Sequence, residues 1–312
     1  MRYLVTGGAG FIGSHIVHAL LDAADDVRVL DDFSTGRPEN LSGMEVELIE
    51  GDLRDAEAVS RAVQGIDIIF HEAAFVSVPE SLQRPIECFD VNVNGTTLLL
   101  DMARREGVKR VVIASSAAVY GDTDLLPLEE LTPLRPLSPY ALSKRMNEML
   151  AELYTGILDL EVTSLRYFNV YGPRQRPDSM YAAAIPIFLR RLLGGQPAIV
   201  FGDGLQTRDL INVHDVVRAN MIAAQHPAAA GQVFNICTGI QTTILDLLDA
   251  LYRILPDAPR HIHEEPRPGD IYRSVGAPAK ASAVLGFEAS IGLEQGLAEA
   301  LDAMRAGTSP HD

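Results

Sequence analysis

Short apolar runs alternate along this chain with stretches in which apolar residues recur every three or four positions, a pattern that predicts strands joined by helices. Strands are expected at Tyr3 to Val5, Val27 to Leu30, Val46 to Ile49, Ile66 to Phe70, Arg110 to Ala114 and Val162 to Tyr167. Between them, Phe11, Ile12, Ile16, Val17, Leu20 and Leu21 trace one helix, and further helices are expected over Asp55 to Val63, from about Ser81, over Asn92 to Arg105 and over Ser138 to Tyr154. Strand and helix in alternation give an α/β fold with a doubly wound parallel sheet and right-handed crossovers. After Tyr171-Gly172-Pro173 the alternation weakens, and helices such as Ala183 to Leu193 and Thr243 to Leu255 suggest a smaller C-terminal α/β domain. The expected division is residues 1–170 and 171–312, with 209–225 returning to the first sheet and a frayed tail from Ala306.

The join between the first strand and the first helix carries glycine at Gly7, Gly10 and Gly13. Gly7 permits the tight turn, Gly10 leaves the backbone open to a pyrophosphate, and Gly13 allows close helix packing. The free N–H groups at the helix start then hold phosphate. Such glycines alone would also fit an ordinary strand-to-helix turn. Here Asp31 stands at the end of the second strand, eighteen residues past Gly13, where a carboxylate accepts from both ribose hydroxyls of a dinucleotide. A carboxylate there repels a 2′-phosphate, so the reading is a Rossmann-type site for NAD rather than NADP, with Arg37 taken as a solvated loop charge. Asp32 follows directly, while Asp52 suits either the adenine amino group or a helix start, for which Asp55 is the better cap.

Composition narrows the partners. The 312 residues are 47% hydrophobic and 22% charged with a formal charge of −16, which argues against nucleic acid or an anionic membrane surface as partner. An anionic substrate would need a local arginine cluster. Cys88 and Cys237 lie far apart in apolar patterns and read as buried thiols rather than a disulfide or metal site. With a strand expected from residue 2 and no apolar run near about eighteen residues, neither a leader nor a membrane span is expected, and the cytoplasm is the expected compartment.

Ser115-Ser116 follows the fifth strand, and Tyr140 and Lys144 lie four apart on one face of a helix. A tyrosine ionises near about 10, so work as a base at neutral pH needs a shift of roughly three units, about 4 kcal/mol. An adjacent ammonium and a positive nicotinamide ring are expected to supply part of it.

Thr6-Gly-Gly-Ala-Gly-Phe-Ile-Gly13, Ser115-Ser-Ala-Ala-Val-Tyr-Gly121, Ser138-Pro-Tyr-Ala-Leu-Ser-Lys144 and Arg166-Tyr-Phe-Asn-Val-Tyr-Gly172 together resemble the extended short-chain dehydrogenases/reductases that act on nucleotide sugars. The resemblance runs to about Phe287 and is strongest with the NAD-dependent UDP-sugar 4-epimerases, the UDP-galactose 4-epimerase group. It implies a catalytic Ser116, Tyr140 and Lys144, with NAD held by Gly7, Gly10, Phe11, Ile12, Gly13, Asp31, Asp32, Asp52, Leu53, Ala73, Ala74, Asn92 and Phe168 as well as Tyr140 and Lys144. For the UDP-sugar it implies Asn169 at the phosphates, Phe201 at the uracil, and Arg208 and Arg267 on the diphosphate, with Asp270 orienting Arg267. Taken alone, those arginines read equally as partners of neighbouring aspartates, and Phe201 as a core aromatic.

The same scaffold serves dehydratases, which carry an Asp-Glu pair after the catalytic serine, and decarboxylases, which carry a glutamate there. This chain has Ala117 and Ala118, so elimination lacks its acid and base, whereas epimerisation needs neither. Where glucose- and galactose-restricted relatives close the hexose pocket with a tyrosine, this chain has Ser274; with Ser77 and Tyr181-Ala-Ala-Ala184, that points to acceptance of N-acetylated sugars as well. The resemblance also implies a homodimer through the long helices around Asn92 to Arg105 and Ser138 to Tyr154.

Overall fold

A computed structural model describes residues 1–176, 184–266 and 271–307. The chain opens with β1 (Arg2–Thr6), α1 (Phe11–Asp22), β2 (Asp26–Asp31), β3 (Glu47–Glu50), α2 (Ala56–Val63) and β4 (Ile68–His71). Three short helices, α3 (Val78–Gln83), α4 (Pro85–Phe89) and α5 (Thr96–Arg105), lead to β5 (Arg110–Ser116), then α6 (Pro139–Ile157) and β6 (Glu161–Tyr167). The second half holds β7 (Asn169–Tyr171), α7 (Ala184–Leu193), β8 (Ile199–Phe201), β9 (Thr207–Arg208), β10 (Leu210–Asn212) and α8 (Val213–Gln225). It closes with β11 (Val233–Ile236), β12 (Thr242–Thr243), α9 (Ile244–Ile254), β13 (Ile262–Glu264), α10 (Ala279–Leu285) and α11 (Leu293–Gly307).

Among the described residues the central sheet has seven strands, all parallel, in the order β11-β6-β5-β4-β1-β2-β3. Both faces are covered, so the strands read as continuous apolar runs whose alternate residues serve opposite cores. Tyr3, Val5, Val29, Phe70 and Val112 pack beneath α1 and α8. Leu4, Leu30, Ile69, Val111 and Ile113 pack against α2, α5 and α6. The strand order reverses between β1 and β4, which is where such sheets open a crevice at their carboxyl ends.

Local signals explain several boundaries. Asp55 caps α2 by accepting from Glu57 N and Ala58 N, Ser138 caps α6 by accepting from Ala141 N, and Thr243 with Asp246 closes a capping box on α9. The helix expected from Asn92 starts instead with a π-helical turn, Asp90–Gly95, before α5. A third core, built from α7, α9 and α11 with Ala198 and Val200, stands over the carboxyl ends of the sheet strands, because Phe201 and Arg208 share a cavity with Gly7 and Asp31.

Candidate active site

Sterics alone require glycine at the first turn. Gly7 has φ +68°, and a Cβ on it would lie 2.7 Å from Ala73 N. On Gly13 a Cβ would fall 2.1 Å from the carbonyl oxygen of Gly7, so the helix start is pressed onto the turn. At Gly10 that same oxygen, at 3.0 Å, is the single near atom, leaving the other side open. Asp31 ends β2 with its carboxylate accepting from Ala9 N at 2.8 Å and Phe33 N at 2.9 Å. Burial pushes this carboxyl up, and the two backbone donors pull it back. Gly36 lies against it so closely that a Cβ there would sit 2.7 Å from Asp31 Oδ1. Asp32 takes Ser34 N and Oγ, and Asp52 is held down by the guanidinium of Arg54.

These residues line one end of a cavity of about 760 Å³. Phe11, Ile12, Leu53, Ala73 and Ala74 share its wall with the glycines and Asp31, and Ser116, Tyr140, Phe168 and Asn169 stand at its middle. Phe201 and Arg208 stand with Arg190 and Arg191 of α7 at the far end. A cradle that any Cβ would fill, next to a helix start and a ribose-reading carboxylate, fits a dinucleotide.

At the middle, Tyr140 and Lys144 rise from the first turns of α6. Tyr140 N donates to Ser81 Oγ at 3.2 Å, and Lys144 Nζ donates to the carbonyl of Ala114 on β5 at 2.8 Å, sitting 5.8 Å from the tyrosine ring centre. Ser116 ends β5, its hydroxyl accepts from Ala118 N at 3.2 Å, and it shares the cavity wall with Tyr140, which it pulls down. Here the structure departs from the expected electrostatics. Burial pushes Tyr140 up to about 12 against the pull of Ser116, and it pushes Lys144 down to about 8. Burial outweighs the protein's own groups and keeps the tyrosine neutral.

Other expected residues lie off the cavity wall. Asn92 is buried behind it: its Oδ1 accepts from Phe75 N at 2.7 Å, and its Nδ2 donates to Phe75 O and to Ser143 Oγ. With both ends of the amide used, Asn92 ties the loop after β4 to α6 instead of facing a cofactor. Ser77 caps α3 by accepting from Glu80 N, and Ser274 is held through its backbone N–H to Thr207 O; neither lines the cavity. Arg267, Asp270 and Tyr181 to Ala183 lie outside the described residues.

Three groups escaped the sequence. Glu72, first residue after β4, lines the cavity and accepts from the Tyr167 hydroxyl at 2.7 Å; its place at a parallel strand's carboxyl end was the available signal. Arg190 and Arg191 were legible as helical residues but not as cavity residues. Glu148, one turn beyond Lys144, accepts from Ser115 Oγ at 2.7 Å and from two nitrogens of Arg166, locking the end of β5 to α6. No spacing rule links those three positions.

A model of the NAD dependent epimerase/dehydratase family matches residues 3–237. The chain is 40% identical over 313 residues to the UDP-glucose 4-epimerase of Mycolicibacterium smegmatis, covering 98% of this chain and 99% of that one. Its fold superposes with a TM-score of 0.94 on the UDP-glucose 4-epimerase of Thermotoga maritima solved with UDP-glucose, at 36% identity over 99% of this chain and 100% of that one. It superposes equally, at 34% identity over 98% of both chains, on the UDP-N-acetylglucosamine 4-epimerase of Methanobrevibacter ruminantium in complex with UDP-N-acetylmuramic acid, with a TM-score of 0.94.

Proposed function

The chain belongs to the NAD-dependent epimerase/dehydratase family, and we propose that within it this protein is a UDP-sugar 4-epimerase, inverting C4 of a UDP-hexose reversibly through a 4-keto sugar. The observation that carries this reading is one cavity that joins the glycine turn, Ser116 with Tyr140, and the Arg208 end, without an acid at Ala117 or Ala118.

The residues divide the work as follows. The turn at Gly7, Gly10 and Gly13 holds the pyrophosphate of NAD on the start of α1, and Asp31 takes the adenosine ribose. Bound NAD supplies the reversible two-electron oxidant for C4 and the positive charge that Tyr140 lacks from the protein. Ser116 donates to the sugar's 4-oxygen and orients it. Tyr140 accepts the 4-hydroxyl proton and gives it back to either face of the sugar. Lys144 anchors the nicotinamide ribose and stabilises ionised Tyr140. Asn169, Phe201 and Arg208 hold the UDP, and the resemblance assigns Arg267 and Asp270 to the diphosphate as well. Residues 1–170 thus serve NAD and 171–312 the nucleotide sugar, except that the return to the sheet expected over 209–225 is made by α8, packed on its face, and extends to β11, which joins it as an edge strand. The resemblance makes Ser274 the counterpart of a tyrosine that closes the hexose pocket, and with no side chain of Ser274 on the cavity wall the reading of N-acetylhexosamine acceptance rests on that resemblance.

A second copy of the chain fits the outer face of α6, where Leu142, Met149, Leu153 and Ile157 form an exposed stripe at helical spacing, and we place the homodimer contact there. Among the described residues no helix is long and apolar enough to cross a membrane. Cys88 and Cys237 are both free and buried, which suits a reducing cytoplasm.

The decisive test incubates the protein with each UDP-hexose and UDP-N-acetylhexosamine, without added NAD, and resolves the products. The 4-epimer of unchanged mass is expected; a product of altered mass, or net NADH, would move the chain to another reaction of the family. In the same assay Tyr140→Phe is expected to keep its NAD and lose about 10² to 10⁴ in turnover.

A further inference from the structure

Within the cavity stands a carboxyl group that neither the ribose contact nor the triad employs. Glu72 directly follows β4, and its main chain lies against the glycine turn: its N–H donates to Thr6 O at 3.1 Å, and a Cβ on Gly7 would come within 3.0 Å of its carbonyl carbon. Its side chain lines the cavity and reaches across β5 to β6, where Oε1 accepts from the Tyr167 hydroxyl at 2.7 Å. Tyr167 is the register partner of Ser116 across β5 and β6. Glu72 therefore spans the interval between the glycine turn and the strand end that carries Ser116.

No charge within the protein holds this carboxyl group. Among the described residues the Tyr167 hydroxyl is its side-chain donor, and no ion pair reaches it: Lys144 Nζ donates to Ala114 O instead. Tyr167 is fixed in turn by Asn220 of α8, whose Nδ2 donates to the hydroxyl at 2.8 Å. Glu148, the other buried glutamate of this region, differs in being paired with Arg166 and Arg145. A carboxylate placed so deep without a cation is costly unless a ligand brings one. Burial accordingly holds Glu72 up to about 7, with Tyr167 and Lys144 drawing it down.

We propose that Glu72 is a cofactor-binding residue at the nicotinamide end of NAD: its carboxylate is the counter-charge to the positive ring and favours the oxidised over the reduced cofactor. This rests on NAD lying in the cavity with its pyrophosphate on the glycine turn and its reactive ring at Ser116 and Tyr140. A dinucleotide so placed has to pass Glu72, which occupies the interval between those points. The ring is positive when oxidised and neutral when reduced, so a fixed carboxylate discriminates between the two forms where a neutral group does not. The other groups facing this part of the cavity leave that task to Glu72. His71 is bonded through both ring nitrogens to Thr6 and Thr96, burial keeps Cys88, Tyr140 and Tyr167 uncharged, and Lys144 has the same sign as the ring. In the proposed epimerase such a bias keeps the resting cofactor in the oxidised form that begins a turnover.

The test equilibrates the protein and its Glu72→Gln, Glu72→Asp and Tyr167→Phe variants with an equimolar mixture of NAD and NADH until the bound fractions are constant. Gel filtration then removes unbound nucleotide, and the bound oxidised and reduced forms are separated and quantified. Glu72→Gln keeps the shape and an oxygen for Tyr167; its bound ratio of oxidised to reduced is expected to fall about tenfold, a rise of about 30 mV in the midpoint of the bound two-electron couple. Glu72→Asp should recover most of the ratio. Tyr167→Phe, in which the carboxylate stays but loses its hold, should lower the ratio by less, and it decides the matter if Glu72→Gln does not fold. A wild-type ratio in the folded variants would overturn the proposal, because a residue with a purely structural role weakens both forms alike. Wild-type protein that holds neither form would sink the NAD site and this role together, whereas the expected shift in ratio without epimerisation would sink the epimerase reading alone.

Discussion

Arg166 grips Glu148 with two parallel bonds, Nε to Oε1 at 2.7 Å and Nη2 to Oε2 at 2.8 Å, both side chains almost wholly out of water. Arg166 comes from β6 and Glu148 from α6, and the Ser115 hydroxyl completes the set from β5. Tyr120 closes it on the other side, accepting from Arg166 and donating to Asn235. This cluster ties β5 and β6 to α6, so it sets the distance between the strand that ends at Ser116 and the helix that carries Tyr140 and Lys144.

Breaking that pair leaves a buried charge without a partner. Glu148→Ala should therefore cost roughly 3–5 kcal/mol of stability, visible as a lower urea midpoint. Because Ser115 loses its acceptor as well, turnover should fall in the fraction that stays folded. A variant as stable as the wild type would show that the pair is not what holds α6.

Gly13 offers a test of the dinucleotide cradle. A methyl group 2.1 Å from the Gly7 carbonyl cannot be absorbed by any side-chain movement, because both partners are backbone. Gly13→Ala should open the turn at a cost of about 1–3 kcal/mol and release NAD. Quantifying the nucleotide retained after gel filtration measures the second effect, and a thermal scan the first.

Acid should destabilise the fold through two histidines. Burial lowers His15 to about 4 and His71 to about 3, both from 6.5. A histidine whose folded value is depressed binds protons first in the unfolded chain. Stability is then full above about 6.5 and is lost as pH falls, by up to about 1.4 kcal/mol per pH unit for each histidine. Glu72, which burial raises to about 7, takes up a proton in the folded chain and offsets one of them, so urea unfolding between pH 6 and 5 should show a slope approaching one proton, and His71→Asn should reduce it by one.

The α6 stripe predicts its own disruption. Met149 is 54% exposed and Leu153 43%. The double replacement Met149→Glu and Leu153→Glu should convert a dimer to monomer by light scattering while the monomer keeps its circular dichroism. An unaltered mass would move the contact elsewhere.

Much of this protein can be read along the chain, because the signals involved act over a few residues. The apolar runs of β1 to β6, the glycine turn, Asp31 at the end of β2 and the Asp55 cap depend on neighbours within about one turn or one loop. The family motifs add Ser116, Tyr140 and Lys144 as the proposed triad for the same reason, since Tyr140 and Lys144 share a helix face by spacing alone. What only the folded chain decides is the electrostatic state of those residues. Tyr140 is pushed up rather than down because the folded chain buries it, an effect larger than the pull of Ser116. Asn92 serves the Phe75 loop, Glu72 joins the cavity and Glu148 finds Arg166 through contacts between segments far apart in sequence. Burial and long-range pairing set the charge of a site, and neither has a period that a sequence displays.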